Sequence, residues 1–249
     1  MIKALIIRRF WLWRNRLFSN LFNSFLLPML LFCLICLPLK NIIRFSLSGI
    51  AYDEWVFSGL VFIIGSICLF PTLYQEYFEQ RIHKKVLINI ALAPFSKMKI
   101  ILHTLLASIL EALIMIFVAV LIYTSFVSVP FTMLSMIFIL FSLVIHLFLF
   151  GNLYISISLL VDTVTIMMLS SSIIFIYIIF GLGFIIEFPF FPPDIESILN
   201  KIPMALPFQT YQKYYATGFI DWSVLAILAI IIYLWILFNS YLLKWRLRQ

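Results

Sequence analysis

Charge is the scarcest property of this chain. Of its 249 residues only 17 are lysine or arginine and 10 aspartate or glutamate, while 65% are hydrophobic and 27 are phenylalanine. A water-soluble domain has roughly half its residues apolar, so a mean hydropathy of +1.16 excludes one and points to an integral membrane protein. Cysteine is nearly as rare. Cys33, Cys36 and Cys68 all lie inside apolar runs, the first two at helical i,i+3 spacing. That pattern suits lipid-facing or packed thiols, not a disulfide framework or a metal site. His83, His103 and His146 are too dispersed to suggest a metal site either. No GxxxxGK[ST] occurs, which excludes a self-sufficient P-loop ATPase, and the absence of GxSxG and HExxH removes most support for a serine hydrolase or a zinc protease. Acidic residues are too few to balance the basic ones. The net charge of +7 is explained by basic residues holding loops on one side of a membrane, without a nucleic-acid partner.

What the chain does have is long apolar sequence. Six runs, approximately 20–39, 55–74, 100–124, 131–160, 164–186 and 222–243, meet or approach the roughly 20 residues a helix needs to cross the hydrocarbon core. They are continuously apolar, without the alternation a barrel requires. The expected fold is therefore an all-α integral membrane protein with six transmembrane helices in a single domain, residues 1–249. The first run follows a basic segment and is not followed by a small-residue cleavage site, so it is read as an uncleaved anchor. Lys3, Arg8, Arg9, Arg14 and Arg16, then Arg81, Lys84, Lys85, Lys97 and Lys99, then Lys244, Arg246 and Arg248 fall on one side; Lys40, Arg44, Lys201 and Lys213 fall on the other. The positive-inside rule makes both termini cytoplasmic in the plasma membrane, the inner membrane of a bacterium.

Two segments outside the spans have designs of their own. In residues 1–18, Ile2, Ile6, Phe10, Trp13 and Leu17 share one helical stripe, with Arg8, Arg9, Arg14 and Arg16 outside it and able to snorkel. This predicts an amphipathic helix in the headgroup layer, unless the segment is an ordinary basic flank. Residues 187–221 are rich in proline and aromatics but poor in charge. That is too apolar for a free loop and too interrupted for a span, so it predicts re-entrant or interfacial short helices shielded by protein.

The chain gathers much of its charge between Tyr74 and Lys99, in "YQEYFEQRIHKKVLINIALAPFSKMK". The second span is expected to continue as a helix through "YQEYFEQR", Pro94 to break the short element after it, and Ser96 to cap the third span. Val86, Leu87, Ile90 and Ala91 beside His83, Lys84 and Lys85 form a small amphipathic element. A purely topogenic loop needs only the lysines; an apolar face suits docking into a partner's groove.

These residues resemble a family, the permease subunits of ABC-2 type exporters, which move polysaccharides, lipid-linked sugars or drugs. Glu76 and Glu79, "VLINIALA" and "APFS" at Ala93 to Ser96 take the places of that family's acidic residue, Leu-rich segment and TP-(L/V)-S turn. "FPFFPP" and "LPFQTYQKYYATGF" resemble the aromatic-proline turn and the NP-(L/F)-T motif before its last span, with Leu206 in place of the usual Asn. His83-Lys84-Lys85 replaces the glycine-threonine pair common there, and some features are similar to the nodulation-factor and lipo-oligosaccharide exporter branch. The resemblance implies that residues 75–98 hold a cytoplasmic coupling helix, with Glu76, Glu79, Lys84, Lys85, Val86, Leu87, Ile90 and Pro94 facing a separate ABC ATPase. Two such ATPase subunits would bind ATP and magnesium, and a second permease copy, identical or not, would complete the exporter. This chain itself would bind no cofactor and would not be an enzyme; membrane lipids would surround it.

Within the spans, Glu111 lies about twelve residues past Lys99, roughly 18 Å along a helix rising ~1.5 Å per residue. His146 lies at a similar depth, so the two are expected to be able to meet. Either they form a structural hydrogen bond between packed helices or Glu111 lines a substrate route. Asn152 is equally open between packing and pathway. Two other classes stay in view: a sensor, immunity or assembly factor with permease architecture, and a lipid-modifying membrane enzyme.

Overall fold

The computed structural model describes residues 2–15, 17–47, 49–87, 90, 94–127 and 132–247. Arg16, Ala91, Ala93 and Arg248, which enter the expectations above, lie outside the described residues. The described chain is helical, apart from turns and one isolated bridge between Phe45 and Ala51. Five helical stretches are long and apolar enough to cross a membrane: Asn20–Ile42, Tyr52–Ile82, Lys97–Thr124, Met133–Leu160 and Trp222–Arg246.

Helix α1 (Ile2–Asn15) leads into α2 (Leu17–Leu31), which passes Pro28 and continues through a π-helical turn, Phe32–Cys36, into α3 (Leu37–Ile42). The same device recurs in α4 (Tyr52–Leu73): Pro71 is followed by a π turn, Tyr74–Glu79, and by α5 (Gln80–Ile82). Proline cannot donate to the preceding turn and crowds it, and a wide turn just beyond absorbs the misfit. Neighbouring side chains use carbonyls at these places. Tyr123 donates to the Pro28 carbonyl at 3.0 Å, and Arg9 to the Thr72 carbonyl at 3.1 Å.

Then come α6 (Lys97–Thr124), α7 (Met133–Leu160) and α8 (Val164–Phe180). Each starts on a hydroxyl cap: Ser96 accepts from the Lys99 amide, Thr132 from Ser135 and Thr163 from Ile166. The expected helix through Tyr74–Arg81 and the Ser96 cap are both present. After α8 follow α9 (Pro193–Leu199), α10 (Leu206–Thr217) and α11 (Trp222–Arg246). Pro193 and Pro207 sit in first turns, where a missing amide costs nothing, and Gly218 closes α10 in the left-handed region at φ 74°.

Helix α4 is the axis of the bundle. Its most apolar stretch is 78% buried, against 22% for the stretches in α2–α3 and in α11. It packs against α6, α7 and α8 while the outer helices turn Phe22, Phe25, Ile230 and Phe238 outward. Cys33 is exposed, Cys36 buried and Cys68 half-buried, all as free thiols.

Polar contacts establish which helix ends lie together. At one end Arg81 donates to Asp162 at 2.6 Å and to the Ser158 carbonyl at 3.1 Å, and Arg246 donates to the Leu160 carbonyl at 2.6 Å. These cations satisfy the last carbonyls of α7, which no amide of its own helix can reach. Helix α1 joins the same end through Arg9, so it and the C-terminal end of α11 lie at the same end of the bundle. At the opposite end Lys40 pairs with Asp53 at 2.5 Å, and Tyr52 donates to the Ile185 carbonyl at 3.0 Å.

The chain therefore runs the length of the bundle between Asp162 and Ile185, but not as the helix expected over 164–186. Helix α8 stops at Phe180, 17 residues or about 25 Å long. Gly181 and Gly183, the latter at φ 74°, end it. Leu182, Phe184 and Ile185 then continue unwound and fully buried. Phe184 lies against Phe62 and Phe208, tying this segment to α4 and α10.

Glu187 follows it, accepting from the Leu47 amide at 2.9 Å. Burial raises its pKa above the usual 4.5, partly offset by that amide. The folded protein thus holds this proton more tightly than the unfolded chain. Its contribution to stability is present below the ordinary value and lost as pH rises through the raised one. Glu187→Gln keeps an acceptor for Leu47 and is expected to flatten the pH dependence of thermal melting above pH 4.5; an unchanged profile would exclude Glu187 as its source.

Candidate functional site

Between α5 and α6 the chain makes a surface turn. Lys85, at φ 53°, ends the helix in the left-handed region, and the Val86 amide folds back onto the Gln80 carbonyl at 2.9 Å. Beyond it the Ile90 amide donates to the Val86 carbonyl at 3.2 Å. His83, Lys84, Lys85, Val86, Pro94 and Phe95 are exposed, Ile90 is half-buried, and Glu79 pairs with Lys84 at 2.8 Å. Leu87 departs from the expected outward apolar face. It is buried in the core and fastens the turn to the bundle.

Glu76 departs from expectation as well. It is buried, 7% exposed, and it faces inward. Arg8 and Arg9 of α1 both donate to Glu76 Oε1, Arg9 at 2.6 Å, and Gln80 donates to Oε2 at 2.8 Å. Arg9 also lies 3.8 Å from Glu111, which accepts from Thr72 at 3.0 Å. The arginines Arg8 and Arg9 of α1 consequently face the bundle and not water, and the residues of the expected stripe divide between the two sides. Ile2, Leu5, Arg8, Arg9 and Trp13 are its least exposed residues, while Ile6, Phe10 and Leu17 of the predicted stripe point outward, more than a third exposed. A carboxylate within reach outweighs snorkelling to water, because an unpaired Glu76 in an apolar bundle is the costlier alternative.

Glu111 and His146 do not pair with each other. Glu111 meets α4 at Thr72, whereas His146 meets it at Ser66, 2.7 Å away. Six residues along a helix separate those levels by about 9 Å. His146 Nδ1 faces the Met204 carbonyl at 3.0 Å and so carries the proton, since a carbonyl can only accept. With both nitrogens engaged and Phe62, Phe150 and Phe184 around the ring, His146 ties α4, α7 and the segment before α10 together.

Asn152 belongs to packing. Asn239 of α11 donates to its carbonyl and to its Oδ1, each at 3.0 Å. Ser156 donates to Asn239 Oδ1 at 2.7 Å, and Trp235 to Ser156 at 2.9 Å. Hydrogen bonds between membrane helices contribute about 0.6 kcal/mol on average and up to about 1.7. Asn239→Leu is expected to cost about 2 kcal/mol, read as an earlier unfolding midpoint in a denaturing-detergent titration; an unchanged midpoint would show that the cluster adds no net stability.

Sequence reasoning missed Arg8 and Arg9 as partners of Glu76, and Asn239, Ser156 and Trp235 as partners of Asn152. A signal existed for the first group: adjacent arginines on a short helix, with Glu111 isolated in an apolar run and in need of a cation. Among the described residues, no group of three or more His, Cys, Asp or Glu is placed to hold a metal ion. Comparison of the chain with protein-family models, with curated proteins and with solved structures finds no match in any of the three.

Proposed function

We propose that this chain is the membrane-spanning permease subunit of an ABC-2 type exporter, moving a lipid-linked, saccharide or drug-like substrate outward across a bacterial inner membrane. The observation that carries this reading is the helix Tyr52–Ile82, 31 residues long. At ~1.5 Å per residue it reaches about 46 Å, beyond the ~30 Å hydrocarbon core. Its extension carries exposed residues, Lys84, Lys85 and Val86, that Leu87 fastens to the bundle. A short element joined stiffly to two central helices can pass movement of a bound motor into the bilayer. In this reading the turn docks on a separate ABC ATPase, which binds ATP and magnesium; two ATPase and two permease copies assemble. Both termini are cytoplasmic, α1 lies in the headgroup layer, α8 with residues 181–186 makes a sixth crossing, and residues 187–221 face outward at the interface.

The test is co-expression with candidate ABC ATPases, followed by co-purification and hydrolysis assays. A cognate ATPase is expected to co-purify, and Lys85→Glu combined with Val86→Asp, at two exposed side chains, to reduce its stimulation about tenfold or more without lowering the melting temperature of the permease. A chain that neither binds nor stimulates any ABC ATPase sinks the proposal. Lipid turnover by the isolated chain would identify a membrane enzyme instead.

A further inference from the structure

Beneath α1 lies a polar chamber of about 440 Å³ lined by Arg8, Arg9 and Lys84 together with Glu76, Glu79 and Glu111. It meets a second cavity of about 370 Å³, a slot between α2, α4 and α6 whose walls include Leu26, Leu27, Leu30, Ile67 and Met115. The two share Trp13, Asn20, Pro71, Thr72 and Glu111, so one space passes from charged to apolar lining. Leu26 and Leu30 are more than a third exposed, placing the rim of the slot on the outside of the bundle. Together these volumes fall within the range of sites that enclose small amphiphilic ligands.

We propose that this space binds one membrane phospholipid with a zwitterionic, phosphoethanolamine-type head, its chain in the slot between α2 and α6 and its head in the chamber beneath α1. The charge balance selects the head. Three cations and three carboxylates line the chamber, and Arg8 Nε and Gln80 Oε1 there are buried without partners. A phosphate can be shared by Arg8 and Arg9, and a primary ammonium by Glu111 and Glu79. A head of either single net charge adds an unbalanced charge to a lining whose own charges already cancel. The slot selects an acyl chain, since beyond the shared rim its lining is apolar apart from Asn23 and the Cys68 thiol. The site holds whether or not the chain works with an ATPase.

The test uses the full chain in phosphatidylcholine vesicles doped with either phosphatidylethanolamine or phosphatidylglycerol, each with a photoreactive group on one acyl chain. Adducts at Leu26 to Leu30 and at Ile67 to Met115 are expected to be at least about tenfold more abundant with phosphatidylethanolamine, a difference of about 1.4 kcal/mol in binding. Adducts on the outward face of α11, at Ile230 and Phe238, are expected to show no preference and serve as control. Glu111→Gln gives the chamber a net positive charge and is expected to abolish the preference. Leu30→Trp, at the exposed rim and away from the charges, is expected to lower labelling by both lipids at the slot. Equal labelling of the slot by both lipids in the wild type, or stronger labelling by phosphatidylglycerol, overturns the proposal, as does a preference that survives Glu111→Gln.

Discussion

Glu76→Ala is expected to destabilise the protein by about 3–5 kcal/mol and to release α1 from the bundle. Glu76 is the common acceptor for Arg8, Arg9 and Gln80, with its side chain 8% and that of Arg9 12% exposed. Removing one member of a buried ion pair costs more than the pair contributes, because the partner keeps its charge without compensation. Arg9 retains Glu111 at 3.8 Å, the Thr72 carbonyl and a long contact to Gln75 Oε1 at 3.5 Å, none of which replaces a carboxylate at 2.6 Å, and Arg8, with its side chain 38% exposed, can turn to water. Helix α1 has no fully buried residue, so its half-buried Ile2, Leu5 and Trp13 replace little of the lost anchor. Amide hydrogen exchange along Ile2–Asn15 reads the release directly. The wild type is expected to protect these amides, Glu76→Gln to weaken the protection, and Glu76→Ala to lose it. A double-mutant cycle of Arg9→Gln with Glu76→Gln is expected to show strong coupling between the two positions. Unchanged protection in Glu76→Ala would show that the membrane surface, not Glu76, holds α1.

Gly59→Ala is expected to cost about 3 kcal/mol or more, although it adds a single carbon. A Cβ at this position would lie 2.1 Å from the Phe184 carbonyl oxygen and 2.9 Å from its carbonyl carbon. The obstruction is backbone, which cannot turn aside, so the unwound segment after α8 has to lift from α4. Lifting it undoes the Tyr52 bond to the Ile185 carbonyl and the packing of Phe184 on His146. Gly65 on the same helix is the comparison. There the nearest atoms are the side-chain ends Ile116 Cδ1 at 2.9 Å and Leu147 Cδ2 at 3.0 Å, which can rotate away. Gly65→Ala is therefore expected to melt close to the wild type and Gly59→Ala well below it; equal melting temperatures would refute the close approach of Phe184.

Five of the six expected spans, the Ser96 cap and the proline breaks of this chain were legible from local sequence because each depends on neighbours within one or two turns. Apolar runs of about twenty residues, Ser96 three residues before the Lys99 amide it receives, and prolines at the starts of α9 and α10 all act over that range. The end of α8 was not legible. "FGLGFII" is apolar enough to read as continuing span, and tertiary contacts, the approach of Phe184 to Gly59 and the Tyr52 bond to the Ile185 carbonyl among them, stabilise it in unwound form.

By itself the sequence determined that this protein is helical, lives among lipids, and carries a charged turn between two of its central helices. Those properties follow from hydropathy and from the sparse placement of charge, which a one-dimensional pattern contains in full. Tertiary structure alone decided the partners of its few polar groups. Glu76 took Arg8 and Arg9, Glu111 took Thr72, His146 took Ser66 and Met204, and Asn152 took Asn239. The physical reason is that a buried polar group in an apolar bundle must find whichever complement the helix packing brings within about 3 Å, and packing is set by apolar shapes that give no sign in sequence of which polar pairs they will align.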